Sequence, residues 1–257
     1  MKFTVITCTY NAATVLQRTL DSVRAQTWGD LEHLIIDGAS RDGTAAMAEA
    51  YCRECRDDDD GHEIVIVSEP DRGLYDAMNK GIARATGDYI VFLNAGDTLP
   101  DADTLEAVAS YVADGEPLPA VLYGDTDIVD ADGHFLRHRR LSPPDRLTWR
   151  SFRHGMLVCH QAFYARTDIA RDTPYDLHYR YSADVDWCIR IMREGTRRHL
   201  ALRRVPHIVA HFLDGGMTTA NHRASLGERF RIMVRHYGLV TTLVMHAWFA
   251  IRKHLQK

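Results

Sequence analysis

The 257-residue chain reads as an α/β protein built on a mostly parallel sheet flanked by helices. Two observations predict this. Short β-branched and apolar runs alternate with helical patterns of about 10–15 residues, which is how parallel strands joined by right-handed crossovers look in sequence. A polar cluster also closes each early run: Thr9-Tyr10-Asn11, Asp37-Gly38, Glu69-Pro70-Asp71 and Asn94–Asp97. In an open parallel sheet, ligands bind beyond the C-terminal strand ends, so the four clusters predict one shared binding site.

The first strand is Phe3–Thr9 (FTVITCT), followed by helical spacing at Val15, Leu16, Leu20 and Val23. His33–Ile36 is a second strand; it ends at Asp37, with the turn DGASRDGT and a helix from about Thr44 behind it. Glu63–Val67 is a third strand and leads into EPDRG. Asp76–Ala85 is helical, with Asp76 and Lys80 spaced for an i,i+4 ion pair. Tyr89–Leu93 is a fourth strand, Ala102–Val112 a helix and Val121–Tyr123 a fifth strand. Beyond Asp125 the rhythm changes. VDADGH (Val129–His134) reads as a hairpin turn, and a polar connection runs to about Arg153. MLVCHQAFYA, a helix around Asp184–Glu194, a strand near Arg203–Val209 and a helix from about Leu226 complete the chain.

Composition narrows the function classes. With 46% apolar and 26% charged residues, the chain is an ordinary globular protein with one sizeable core. Its formal net charge of −4 lacks the basic footprint of a nucleic-acid binder, so no nucleic-acid partner is expected. Acids concentrate at Asp57–Asp60, read as a solvated loop, while Arg, Lys and His crowd the last hundred residues. The start, MKFTVITCTYN, has no apolar h-region, and no run approaches the roughly 18–20 residues that span a bilayer; a cytoplasmic location is expected. Cys52 and Cys55 form a lone C-x-x-C. They and Cys8, Cys159 and Cys188 are read as reduced thiols. No G-x-G-x-x-G follows the first strand, which counts against a Rossmann oxidoreductase.

TCTYNA, DGASRDGT, EPDRGLYDAMNKGIARATGDYIVFLNAGD and ADVDWCIR, in that order, resemble the inverting glycosyltransferases of family two, which have the GT-A fold. The match is close over about the first hundred residues, with weaker landmarks to Thr219. The resemblance implies transfer of a sugar from a nucleoside-diphosphate sugar to a hydroxyl, normally with a divalent metal (Mg²⁺ or Mn²⁺). It implies a nucleotide-sugar-binding part over residues 1–125, an acceptor and catalytic-base part of the same domain over 126–225, and a helical tail over 226–257. The NAGD variant resembles capsule and exopolysaccharide enzymes, which implies a saccharide or lipid-linked acceptor.

Carried onto this sequence, the family motif puts Thr9, Tyr10 and Asn11 along the nucleotide pocket, with Asp37 on the base. Taken alone, Asp37 reads as a turn and cap residue in a Gly-rich loop; Asp71 and Asp97 beside it favour binding. Asp71 and Arg72 fall beside nucleotide and sugar, where an Arg gives planar donors; Lys80 is read as structural. In FLNAGD, relatives carry acids where this chain has Asn94 and Gly96, so Asp97 is the one carboxylate left for a metal. A hard dication that leans on phosphate oxygens and water accepts so few protein ligands. Asn94, Ala95 and Gly96 remain as donor-binding residues, the amide suited to a ribose hydroxyl and the bare glycine to close approach. His211 is a weaker metal candidate, and Asp214, Thr218 and Thr219 are candidates for a closing loop.

Inverting transfer needs a base for the acceptor hydroxyl. The family's acidic pair at a helix start aligns with Ala183-Asp184, which makes Asp184 that base, or else a helix cap. Asp186 is the alternative, but the two lie about 200° apart on a helix and cannot both face one cleft. His160, Gln161 and Asp186 are placed near acceptor and sugar. In the tail, Leu239, Leu243, Val244, Trp248, Phe249 and Ile251 are flanked by Arg235, Arg252, Lys253 and Lys257. This is the pattern of an interfacial helix at the inner face of the membrane, and equally of a terminal helix packed on the core. A rival from another class is a non-catalytic sugar-nucleotide-binding or regulatory protein, motivated by the thinned acidic motif.

Overall fold

The computed structural model describes residues 1–57, 61–113, 115–215 and 222–255. Asp58–Asp60, Thr218, Thr219 and Lys257 lie outside these residues. The N-terminal half alternates as expected: β1 (Phe3–Thr9), α1 (Leu16–Arg24), β2 (Leu31–Asp37), α2 (Thr44–Asp57), β3 (His62–Ser68), α3 (Leu74–Arg84), β4 (Tyr89–Phe92) and α4 (Thr104–Ala109). Every residue of β1 and β2 is buried, because helices cover both faces of this parallel part. Alternate positions then have nowhere to be polar unless they pair. Thr4 donates to Glu32 (2.6 Å), and Thr7 and Tyr51 hold the two ring nitrogens of His33 at 2.9 Å each.

The second half extends the same sheet. β5 (Val121–Val129), β6 (Phe135–His138), β7 (Phe163–Arg166), α5 (Thr167–Asp172), α6 (Ala183–Arg197), β8 (Leu202–Leu213), α7 (His222–Tyr237) and α8 (Leu239–Leu255) follow in order. Eight strands run β3-β2-β1-β4-β7-β5-β6, with β8 beside β5. β1 to β4 pair in parallel, while β7 enters antiparallel to both β4 and β5. The boundary expected at 125/126 thus falls inside β5, which runs six residues past the strand expected there. The expected helix at Ala102–Val112 shortens to α4, where Thr104 bonds back to Asp101. The carboxylate expected to pair with Lys80 goes elsewhere: Asp76 binds Arg72 (2.9 Å) and Lys80 binds Glu69 (3.1 Å). Cys52 and Cys55 lie buried on α2, and none of the five cysteines is in a disulfide. Among the described residues no helix is long and apolar enough to cross a membrane.

Candidate active site

One side of the cleft is built at the ends of β1 and β2. Asp37 closes β2, fully buried, and its carboxylate accepts from Thr9 Oγ1 (3.0 Å), Ser40 N (3.0 Å), Ser40 Oγ (2.5 Å) and Ser68 Oγ (2.7 Å). Burial pushes this carboxyl up, but the four donors together outweigh it and hold its pKa below the ordinary value. Asn11 takes a left-handed φ of 48°; its N–H donates to Ser40 Oγ and its Oδ1 accepts from Arg41 N, lacing the two strand-end loops together. Gly38 makes a close approach possible. A Cβ there would lie 2.4 Å from Asp71 Oδ2 and 3.3 Å from the Tyr10 ring, so Tyr10, Asp71 and the Gly38 backbone converge. Tyr10 is 64% exposed above them. Arg72 is held through its guanidinium by Asp76 and is 77% exposed.

FLNAGD sits between α1 and β8. Thr19 of α1 accepts from Gly96 N (2.8 Å) and donates to Asp97 O (2.7 Å). Gly96 adopts φ +99°, and a Cβ would meet Leu213 Cδ2 at 2.6 Å; an apolar side chain fills the space that a side chain at this position would need. Ala95 packs on the apolar cluster around Leu16 and Leu20. Asp97 is 3% exposed; it accepts from Gln161 Nε2 (2.8 Å) and Leu213 N (3.0 Å). Burial pushes its carboxyl up to about 6 despite these donors and the charge of His160. Asn94 Nδ2 meets His160 Nε2 at 3.2 Å, and Asn94 Oδ1 is buried with no partner.

These atoms bear on the implied metal. The buried Asn94 Oδ1, which has no partner, and the Asp97 carboxylate, three residues on, are hard oxygen donors of the kind a dication takes, with Gln161 now bonded to Asp97 Oδ2. His211 does not join it. Its backbone pairs with Thr98, and its half-buried ring, its pKa lowered chiefly by burial, lies among Asp127, Asp101 and Arg18. A second group, Asp130, Asp132 and His134, brings its ligand atoms within 4.8 Å of one another on the β5–β6 turn. Asp130 there accepts from the N–H groups of Asp132 and His134, and Arg18 binds the carbonyls of Asp130 and Ala131, which is the chemistry of a tight turn.

The opposite wall is the first turn of α6. Asp184 Oδ2 lies 3.6 Å from His160 Nδ1, and Tyr75 donates to Asp184 Oδ1 (3.3 Å). Burial again raises the carboxyl, but the hydrogen bond and charge of His160 and the charge of Arg229 prevail, and its pKa is lowered. Behind it Tyr75, Tyr175 and Trp187 stack at 5.3 and 4.8 Å, a rigid aromatic support. Two residues expected near the acceptor are elsewhere. Gln161 is fully buried beneath Asp97, locked by Cys159 Sγ and by Asp97 itself. Asp186, on the far side of α6, is fully buried against Arg190 (2.6 Å) and His236 (2.7 Å), and ties α7 to α6.

Four participants escaped the sequence reading. Ser40 and Ser68 complete Asp37, Tyr75 completes Asp184, and Leu213 covers Gly96. Ser40 and Tyr75 lie inside the quoted motifs DGAS and RGLYD; Ser68 and Leu213 carry no local signal.

Residues 4–172 match the model of "Glycosyl transferase family 2". A "PGL/p-HBAD biosynthesis glycosyltransferase" of Mycobacterium tuberculosis is 39% identical over 215 residues, 83% of this chain and 77% of that one. Staphylococcus aureus TarS (residues 1–349), solved with UDP-GlcNAc, superposes with a TM-score of 0.67 at 17% identity, over 91% of this chain and 64% of that one. The mannosyltransferase PcManGT of Pyrobaculum calidifontis, solved with GDP-Man and Mn²⁺, gives 0.62 at 20% identity over 96% and 68%. The fold is shared with these structures, and a site with buried carboxylates at its strand ends lies where the family model matches. The chain belongs to glycosyl transferase family 2.

Proposed function

We propose that the protein is an inverting glycosyltransferase that moves a sugar from a nucleoside-diphosphate sugar to a hydroxyl of a saccharide or lipid-linked acceptor, at the inner face of a membrane. The observation that carries this is His160, which touches donor-side Asn94 with one ring nitrogen and faces Asp184 with the other. The two walls of the cleft meet there. The nucleotide would lie along Thr9, Tyr10, Asn11, Asp37 and Asp71. Ser40 and Ser68 are rotatable hydroxyls that keep the Asp37 carboxylate ionised and available to a base N–H.

In the transfer, the acceptor oxygen forms its bond to the anomeric carbon as the bond from that carbon to the diphosphate breaks, and the diphosphate leaves with the electron pair. Asp184 takes the acceptor's proton. Its lowered pKa keeps it ionised at neutral pH, ready to act as the base. His160 turns Nδ1 to Asp184 and Nε2 to the Asn94 amide, so one ring bridges the two walls. Asn94 Oδ1 and Asp97 would hold a dication, which would supply positive charge to the departing diphosphate.

The test is release of nucleoside diphosphate from UDP-, GDP- and dTDP-sugars, with Mn²⁺, Mg²⁺ or chelator, for wild type and Asp184→Asn. Loss of a general base costs about 10²–10⁴-fold. Asp184→Asn is therefore expected to lose turnover on that scale while keeping the donor-induced rise in melting temperature. Turnover within a few-fold of wild type would remove Asp184 from the mechanism. A donor-induced shift with no turnover would favour the non-catalytic binder, whose specific support is Leu213 seated over Gly96.

A further inference from the structure

Helix α8 is inverted. Every exposed residue from Leu239 to Ile251 is apolar, eight in all, with Val240, Val244 and Trp248 77, 62 and 47% exposed. Its inward side is mixed: Met245 is buried there and Phe249 half-buried, together with Thr242, fully buried and bonded to Gly238 O, and half-buried Thr241 and His246. A helix that packs on a core to hide apolar surface does the reverse. This one turns its three polar residues between Leu239 and Ile251 toward the protein and leaves an exposed face that is apolar throughout, and such a patch marks an interaction surface.

The surroundings identify the occupant by charge. From His222 onward the sequence carries seven Lys and Arg and one acid, Glu228, in a chain whose net charge is −4. That acid is engaged, accepting the backbone N–H groups of Arg180, Tyr181 and Ser182. The 3₁₀ segment Trp149–His154 packs on α8, with Tyr237 stacked on Trp149 at 5.7 Å. It presents Arg150 and Arg153, which with nearby Arg146 form no ion pair with a carboxylate among the described residues; together they line a groove of about 240 Å³. A second copy seated on this face would bring one basic rim against another. An anionic surface is the complementary one.

We propose that α8 lies flat in the headgroup region of an anionic lipid bilayer, apolar face down, with Arg146, Arg150 and Arg153 against lipid phosphates. Its 17 residues make a rod of about 25 Å, suited to lying in the interface. The docking element is continuous with the base. α7 carries Arg229, whose charge reaches Asp184, and its Glu228 holds the loop that opens α6. Resting on the glycosyl-transfer reading, this geometry selects a lipid-linked saccharide over a free one, because docking brings the base to the membrane surface.

The test is sedimentation of the full chain with vesicles of phosphatidylcholine alone and of phosphatidylcholine with phosphatidylglycerol, at about 0.1 and 0.5 M salt. It reads binding without turnover, so it can fail independently of the catalytic reading. Binding to the anionic vesicles should exceed binding to the neutral ones and weaken with salt. Val240→Ser/Val244→Ser and Arg150→Gln/Arg153→Gln should each lower it about ten-fold or more. Both variants should keep the donor-induced melting shift, which shows that they fold. Failure to bind anionic vesicles would overturn the proposal. So would equal binding to both vesicles, or a dimer by light scattering that Val240→Ser/Val244→Ser dissolves, which would assign the face to a second copy.

Discussion

Asp37 and Asp97 flank the end of β1 from either side, both buried carboxylates at strand ends, yet their electrostatics are opposite. Asp37 collects four donors and its pKa falls; Asp97 has two side-chain and strand donors, Gln161 and Leu213 N, and is pushed up to about 6. The difference lies in the neighbours. Small hydroxyl residues crowd Asp37 without adding charge, whereas Asp97 is sealed under Gln161 and the end of β8. The nucleotide end of the cleft is therefore prepared for an ionised acceptor, and the diphosphate end waits for positive charge.

The same substitution should separate the two. Asp37→Asn turns one oxygen into an N–H₂ donor facing Ser and Thr donors, and Ser40 N–H cannot reverse its role. Hydrogen bonds to a charged group are worth about 1.5–3 kcal/mol, so a loss of about 3 kcal/mol is expected, roughly 6–12 °C in melting temperature. Acid should blunt this difference. A carboxyl whose folded pKa is depressed contributes fully above its unfolded value and loses that contribution as pH falls through the folded value. Wild type should therefore lose stability faster than Asp37→Asn below about pH 4. Parallel acid-unfolding curves for the two proteins would refute this role of Asp37.

Gly38→Ala probes the nucleotide end without replacing a carboxylate. The added Cβ has to displace Asp71 Oδ2 from 2.4 Å, a side-chain oxygen that can move. Folding should change by no more than about 1 kcal/mol. Donor affinity, measured by calorimetry, should fall about ten- to a hundred-fold if Asp71 and Tyr10 grip the nucleotide together. Unchanged affinity would take Asp71 out of the pocket.

The parallel half, its strand ends and the place of Asp184 in the first turn of α6 were legible in the sequence because period, turn chemistry and motif spacing are local. What stayed hidden depends on long-range pairing. Gln161 is polar and sits beside His160, so the two read alike, but β7 and the short helical turn before it place one beneath Asp97 and the other in the cleft. Asp186 carries the same formal charge as Asp184 two residues away; α7, which no local pattern ties to it, claims it through His236. The polarity of α8 was legible as composition, but which side faced inward needed its packing on α7 and Trp149–His154.

The smallest expected effect sharpens the comparison most. Asp97→Asn keeps an oxygen for Leu213 N while removing a buried charge that lacks a cation, and Gln161 can turn its own amide to accept from the new Nδ2. A buried charge without adequate compensation is costly, so replacing it with a neutral isostere is often neutral or stabilising. Without metal, thermal unfolding at neutral pH should be unchanged, or higher by about 1–2 kcal/mol, opposite in sign to Asp37→Asn. With donor and Mn²⁺ the order reverses: wild type gains the linkage of a bound state, and Asp97→Asn gains less or nothing from the metal. If Asp97→Asn instead destabilises the metal-free protein as much as Asp37→Asn does, Asp97 is a structural pin for β8. The cation would then have to find its oxygens on Asn94 and the substrate.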